Sequence, residues 1–402
     1  MTSRDIPPFD VAISGAGLAG SSLALALARK GARVALLDPS TFPRDKVCGE
    51  FLSPECWGVL DRMDLADDVA GSDFHAIRLV RLTTPGGREV MADVVDRDGR
   101  PGIGLSRHFL DDRIVRRARE AGATVFEGTR AGGPIVDDDG RVVGVHARGP
   151  GGLVEVRARV TVAADGRHSA LVKQTGRTRG RSRLPIRPRL FGLKRHFAVA
   201  DPAAAEKAGT VGLHLVPGGY GGTCQVEGRS TTNLCALLPD RLVRDRRGDL
   251  DRVAAECLGR NPTLARLLGS GTPLGAWKTV ADVSVQVSTP IRPGILYAGD
   301  AQGTVDPLGG QGMTMALLGA ELLAPSIERA LTAPRGVESP LQRECQAAWH
   351  RRFDRRVALC RGFHHFLVHP ALLDLASILG PAAARGLAAC FRQTRDRDWA
   401  PA

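Results

Sequence analysis

The spacing of apolar and polar residues changes period several times along this chain, and each change marks an element. Val11-Ala12-Ile13-Ser14 runs apolar until its end and predicts a buried parallel strand. Ser21 to Lys30 has apolar residues at helical spacing and stops at Gly31. Arg33 to Leu37 is a second buried-type strand, ending in Asp38. Residues 76–105 alternate around Pro85-Gly86-Gly87 and Asp98-Gly99, which predicts hairpins. Leu105 to Asp111 leads into a helix with apolar Ile114, Val115 and Ala118, and Gly122 to Phe126 resumes the parallel sheet. Ile135 to Val162 reads as a meander, with turns at Asp138-Asp139-Gly140 and Gly149-Pro150-Gly151-Gly152. Val160 to Ala164 then runs straight into Asp165-Gly166.

Period two dominates the next hundred residues, in Leu190 to Ala198, Val211 to Val216, Gly222 to Val226 and Thr232 to Leu238. A helical piece, 249–268, separates these from a further expected strand, Val280 to Val287. Together they predict a second, mostly antiparallel sheet, inserted before the strand Ile295 to Ala298. A loop rich in glycine and proline follows, and Met313 to Leu323 is an apolar helix. Residues 341–395 read as helical. The expected class is therefore α/β. A Rossmann-type parallel-sheet domain is assembled from 8–75, 104–180 and 288–335, with an antiparallel substrate domain from 76–103 and 181–287. A C-terminal helical region, 336–402, completes the chain.

Chemistry enters where strands end. Gly15-Ala16-Gly17-Leu18-Ala19-Gly20 follows the first strand and opens the first helix. Asp38 closes the second strand about twenty residues on. In that context the glycines allow a tight turn, close approach of backbone to a pyrophosphate, and helix packing on the strand. Asp38 suits both hydroxyls of an adenine ribose and disfavours a 2′-phosphate, so FAD or NAD is expected rather than NADP. Arg44 and Lys46 precede Cys48-Gly49 and suit a loop along a diphosphate and a flavin edge. Cys48 is a candidate thiol or a small buried residue, with no base nearby in sequence to deprotonate it.

Near the other end, Gly299-Asp300 ends a strand, and Gly309-Gly310-Gln311-Gly312-Met313 opens a helix. Asp300 can accept hydrogen bonds from a ribose or ribityl hydroxyl. The helix start, with unpaired N–H groups, is a seat for the negative charge of a reduced flavin. His214 and Tyr220 are candidates to orient a substrate hydroxyl, with packing as the alternative for each. The Pro217-Gly218-Gly219-Tyr220-Gly221-Gly222 loop is a candidate pocket wall.

Composition alters this picture little. The chain has 402 residues, 43% hydrophobic and 24% charged, enough for a sizeable core. The net charge of +12 comes mostly from arginines interspersed with acids and without a nucleic-acid motif, so anionic cofactors and substrates are expected rather than nucleic acid. The eight cysteines include no C-x-x-C pair, which argues against a metal site or a disulfide framework and for a reduced, cytoplasmic setting. Residues 11–28 lack charge, but glycines of the nucleotide turn lie inside the run and no basic leader frames it. The stretch from Arg177 to Arg195 is a solvated loop or a dock for an anionic reductant such as NADPH. The basic start of the C-terminal helices and their apolar second half, Phe363 to Cys390, could lie on a membrane surface, although packing against the body is the preferred reading.

Gly15-x-Gly17-x-x-Gly20, then Asp165-Gly166, then Gly299-Asp300 with Pro307 and Gly312 together resemble the FAD-dependent monooxygenases of the para-hydroxybenzoate hydroxylase type. Geranylgeranyl reductases and flavin-dependent halogenases share that scaffold. Arg44-x-Lys46-x-Cys48-Gly49 and Val305-Asp306-Pro307-Leu308 look like the reductase branch, and no Trp-x-Trp-x-Ile-Pro segment of the halogenases is present. The resemblance implies non-covalent FAD on Gly15, Gly17, Leu18, Ala19 and Gly20, with Asp38 at the adenine ribose and Arg107 reaching the cofactor. It places Asp165 and Gly166 near the diphosphate, Gly299 and Asp300 at the ribityl region, and Gly310, Gly312 and Met313 at the flavin pyrimidine. It implies NAD(P)H as a transient reductant. The expected activity is hydroxylation of a phenolic, polyketide-type or other electron-rich small molecule with O₂, through a flavin C4a-hydroperoxide. Reduction of isoprenoid-type C=C bonds and halogenation are the alternatives.

Overall fold

The computed structural model describes residues 9–367 except 97, 180–189, 201–206, 229 and 333–337, and a few positions beyond (386, 389, 393 and 394). The arginine-rich segment at 180–189 and most of the expected helix beyond 367 therefore lie outside the described residues.

The first sheet is built on the strand Phe9–Ser14, buried from Val11 onward, which pairs in parallel with Val34–Leu37 on one side and with Gly152–Ala163 on the other. Thr124–Phe126 extends the sheet in parallel beyond Val34–Leu37, and Ile295–Tyr297 pairs in parallel with the end of Gly152–Ala163. Arg130–Val136 and Val142–Gly149 add the antiparallel meander. Register decides where the site lies. Ser14 is opposite both Leu37 and Ala163, and Ala163 is opposite Tyr297. Strands separated by long stretches of chain thus end along one carboxyl edge, the edge at which open α/β sheets bind ligands.

The helices Leu18–Arg29 and Gly312–Thr332 pack on each other beside this sheet. The first begins at Leu18, not Ser21, because the glycine turn passes directly into helix. The second runs well past the expected Leu323 and continues through Pro325. Helix Glu338–Leu367 packs against it. No helix among the described residues is long and apolar enough to cross a membrane.

The second sheet has seven strands. Thr272–Val280, Leu190–Ala198, Thr231–Pro239, Gly219–Gln225 and Thr210–Val216 follow one another antiparallel, and Leu79–Thr83 with Glu89–Asp93 completes it as a hairpin. Leu79–Thr83 joins Thr210–Val216 in parallel. The expected strand at Val280–Val287 is corrected: the strand is Thr272–Val280, and Val287–Pro290 instead pairs with Gly176–Arg179. Asp282 adopts a left-handed φ of 54° and Val283 N–H bonds the Leu190 carbonyl, so the chain turns away there. Val283 and Val285 are buried by an irregular segment, which produced the misleading alternation. The expected wall loop at 217–222 is also mostly strand, since Gly219–Gln225 begins at Gly219.

Candidate cofactor and substrate site

The glycines after the first strand have different physical reasons. A Cβ at Gly15 would lie 2.5 Å from the Ala164 carbonyl oxygen, and one at Gly20 would lie 1.8 Å from the Gly15 oxygen. Strand and helix therefore meet without room for a side chain. At Gly17 a Cβ would instead face cations: Arg44 Nη2 and Arg107 Nη2 at 3.7 Å and Lys46 Nζ at 3.9 Å. Gly17 is also the N-cap of its helix, and no side chain caps it. Free backbone N–H groups and guanidinium and ammonium groups thus converge on one point, a seat for an anion.

Fully buried Asp111 organises these cations. It accepts hydrogen bonds from Arg44 Nη1 at 2.8 Å and from Arg107 Nε and Nη2 at 2.7 and 2.8 Å. Burial works against the charge of Arg107, but Asp111 and the Cys48 side chain outweigh it and its pKa is raised. Lys46 is solvent-exposed, and its Nζ faces the open cavity beside Gly17 and Gly166. The protein mass around the cavity, then Arg107 and Arg44, lower its pKa. Asp38 is turned to the glycine loop, accepting from Ala16 N–H at 2.8 Å and Ser40 N–H at 2.9 Å.

A single cavity runs from this cation cluster to the second sheet. Leu18 and Ala19 border it beside Gly17. Gly166, with φ +84°, would place a Cβ 3.9 Å from Lys46 Nζ, and Asp165 behind it has a carboxyl pKa raised by burial, with Ser169 opposing. Gly299, with φ +57°, turns Asp300 into the cavity, where it pairs with Arg167 Nη2 at 3.6 Å. Gly310 takes φ +63°, and the helix begins at Gly312, where a Cβ would meet nothing within 4 Å. Met313 lines the cavity at this helix start. The expected cofactor positions are thus brought together from widely separated segments, with Asp38 just behind the rest.

The catalytic candidates separate. Tyr220 lines the cavity, and burial pushes its pKa well above the usual phenol value, so it stays a neutral donor. His214 does not border the cavity: its ring nitrogens bond Thr83 Oγ1 and Thr223 Oγ1, each at 2.8 Å, inside the sheet. Its placement is that of a satisfied core residue. Cys48 lines the cavity, with its Sγ beside the Arg107 guanidinium and 3.4 Å from Glu50 N–H. The reading of the sequence missed Glu50, Lys194 and His196, which meet at the cavity rim. The signal was Lys194-x-His196, a polar pair at alternate positions, and so on one face, of the strand Leu190–Ala198.

The model of a family described as FAD binding domain matches residues 8–339. The chain belongs to this family. It is 30% identical over 333 residues to digeranylgeranylglycerophospholipid reductase 2 of Methanopyrus kandleri, covering 80% of this chain and 78% of that one. Conditioned medium factor receptor 1 of Dictyostelium discoideum is 26% identical over 395 residues, covering 92% and 73%. The solved structure of the flavin-dependent brominase Bmp2 superposes with a TM-score of 0.78 at 19% identity, over 98% of this chain and 96% of that one. The p-nitrophenol 4-monooxygenase PnpA of Pseudomonas putida gives 0.76 at 18% identity, over 97% and 99%. At these identities the structures speak for the fold alone. The protein is an FAD-dependent oxidoreductase. Its own geometry fits the cofactor: the open space at Gly17 amid three cations suits a diphosphate, and the open space at Gly312 suits a ring against a helix start.

Proposed function

We propose that this oxidoreductase reduces C=C bonds of an isoprenoid-type apolar chain, taking electrons from NAD(P)H through FAD. The observation that carries the reading is the wall of the cavity beyond the cation cluster. It is made by Val211, Leu213, Leu237, Val283 and Leu308, with Gly222 on the same sheet face keeping it slim, so it suits a long apolar substrate better than a polar ring. Similarity to digeranylgeranylglycerophospholipid reductases supports the same side.

The bound FAD supplies the centre that accepts and donates hydride. Gly17 N–H, Arg44, Lys46 and Arg107 would hold its diphosphate, and Asp300 would hold a sugar hydroxyl. The start of the Gly312–Thr332 helix borders the cavity, where it would favour negative charge on the ring without rearranging. The apolar wall orients the substrate double bond and excludes water. Tyr220 holds its proton on Oη and donates to any polar group the substrate presents.

Hydroxylation of a phenolic or other electron-rich substrate with O₂ is the second reading. It is favoured by the Tyr220 hydroxyl in the cavity, a donor suited to a phenol oxygen. Turnover of full-length protein with FAD, NADPH and a panel of prenyl lipids and phenols separates the two. A product two hydrogens heavier, formed without O₂, supports reduction. Oxygen derived from O₂ in the product overturns it in favour of hydroxylation.

A further inference from the structure

The loop from Asp45 to Glu50 belongs to the cofactor side of the cavity, yet residues of the second sheet hold it. Lys278 pairs with Asp45 at 3.3 Å, Lys194 Nζ donates to the Lys46 carbonyl at 3.2 Å, and Asn233 Nδ2 donates to the Cys48 carbonyl at 2.9 Å. The loop ends at Glu50, which is fully buried and has φ +58°, a left-handed backbone that a residue with a side chain rarely takes. Something must compensate this strain. The Glu50 carboxylate is gripped on both oxygens: Oε1 by Lys194 Nζ and by Arg107 N–H at 2.9 Å, Oε2 by His196 Nε2 at 2.6 Å. Lys194 is itself buried, so neither charge has another means of satisfaction in water.

The register explains the reach. Lys194 lies opposite Cys235, and Cys235 lies opposite Gly222; both of these line the cavity. Lys194 therefore projects from the same face that forms the substrate wall. One sheet face offers apolar residues to the substrate and, a few residues along, a cationic grip to the cofactor loop.

We propose that Glu50 is the positioning residue of this site. Its carboxylate, clamped by Lys194, His196 and the Arg107 N–H, locks the left-handed turn that sets Lys46 at the diphosphate seat and Cys48 at the cavity wall. The Glu50 carboxylate is committed to Lys194, His196 and the Arg107 N–H, so it acts through Lys46 and Cys48. The inference rests on the cofactor reading of the cavity.

Glu50→Gly tests it, because glycine accepts φ +58° without strain, so the backbone turn can persist while the clamped side chain is removed. In the full chain, displacement of Lys46 is expected to weaken FAD about tenfold, the scale of one charge-assisted hydrogen bond. Alkylation of Cys48 by iodoacetamide in the apoprotein, read from the peptide mass, is expected to speed up several-fold. On a Lys46→Met background the Glu50→Gly effect on FAD affinity should largely vanish, since both act through one ammonium. A folded Glu50→Gly protein with unchanged FAD affinity and unchanged Cys48 alkylation overturns the proposal, as does full additivity with Lys46→Met. Should loss of the carboxylate prevent folding, Glu50→Gln with Lys194→Met removes both buried charges together and is read in the same way. A wild-type protein that binds no FAD would overturn the cofactor reading, while Cys48 alkylation in the apoprotein would still decide the clamp.

Discussion

Arg107 and Asp111 lie one helical turn apart and are joined by hydrogen bonds of 2.7 and 2.8 Å, and the same carboxylate holds Arg44 at 2.8 Å. One buried anion therefore fixes two guanidiniums beside Lys46, and the cluster keeps an excess of positive charge for a diphosphate.

Asp111→Asn is expected to lower the unfolding free energy of the apoprotein by about 3–5 kcal/mol, the cost of stranding a buried partner. Saturating FAD should recover part of this, because an anion that binds the native state stabilises it by mass action. Urea unfolding with and without FAD measures both effects. An unchanged midpoint in the apoprotein would remove Asp111 from the role given to it here.

The lowered pKa of Lys46 gives a pH signature with a definite sign. The protein mass around the cavity, followed by Arg107 and Arg44, holds its folded pKa below the usual lysine value of 10.5. Between the two values the unfolded chain binds more protons, so this group makes the apoprotein more stable as pH rises through that window. A bound diphosphate favours the charged ammonium, so FAD affinity should fall over the same window. Comparing wild type with Lys46→Met, by urea midpoint and FAD titration against pH, isolates the lysine. Parallel profiles for the two proteins would contradict the assignment.

Asp300→Ala should weaken FAD about tenfold to a hundredfold, following the loss of a charge-assisted bond worth roughly 1.5–3 kcal/mol. Turnover per bound flavin should change far less. An FAD titration followed by assay at equal occupancy checks this, and unchanged affinity would mean that Asp300 serves only its ion pair with Arg167.

The helix start is best probed at Gly312. Gly310 has φ +63° and a Cβ there would meet Phe51 at 3.1 Å, so substitution would strain the backbone as well. Gly312→Val places bulk in open space beside the first helical N–H groups. The two-electron potential of bound FAD should become more negative. A helix-end contribution of about 0.3–2 kcal/mol corresponds to roughly 6–40 mV. Redox titration at equal FAD occupancy reads it; no shift, or a positive one, would place the ring elsewhere.

The sequence by itself determined the features whose chemistry is local. Gly15, Gly17 and Gly20 stand between a strand and a helix, and Gly299-Asp300 stands at a strand end, so turn requirements and ligand chemistry are visible within a few residues. The apolar strands of the first sheet were legible for the same reason, being buried on both faces. The tertiary structure decided everything that depended on register. His214 and Tyr220 are equally plausible on paper, yet Tyr220 lies opposite Leu215, which leaves His214 on the other face of the sheet, bonded to Thr83 and Thr223. Val283 and Val285 alternate like a strand but are buried by a turn at Asp282. Glu50 shows no pattern along the chain, and Asp111, though one helical turn after Arg107, shows none toward Arg44, because these partners are brought together by the fold. Lys194 is 144 positions from Glu50 and Arg44 is 67 from Asp111. Buried charges are satisfied by whatever the packed elements carry to them, and no local periodicity records that pairing.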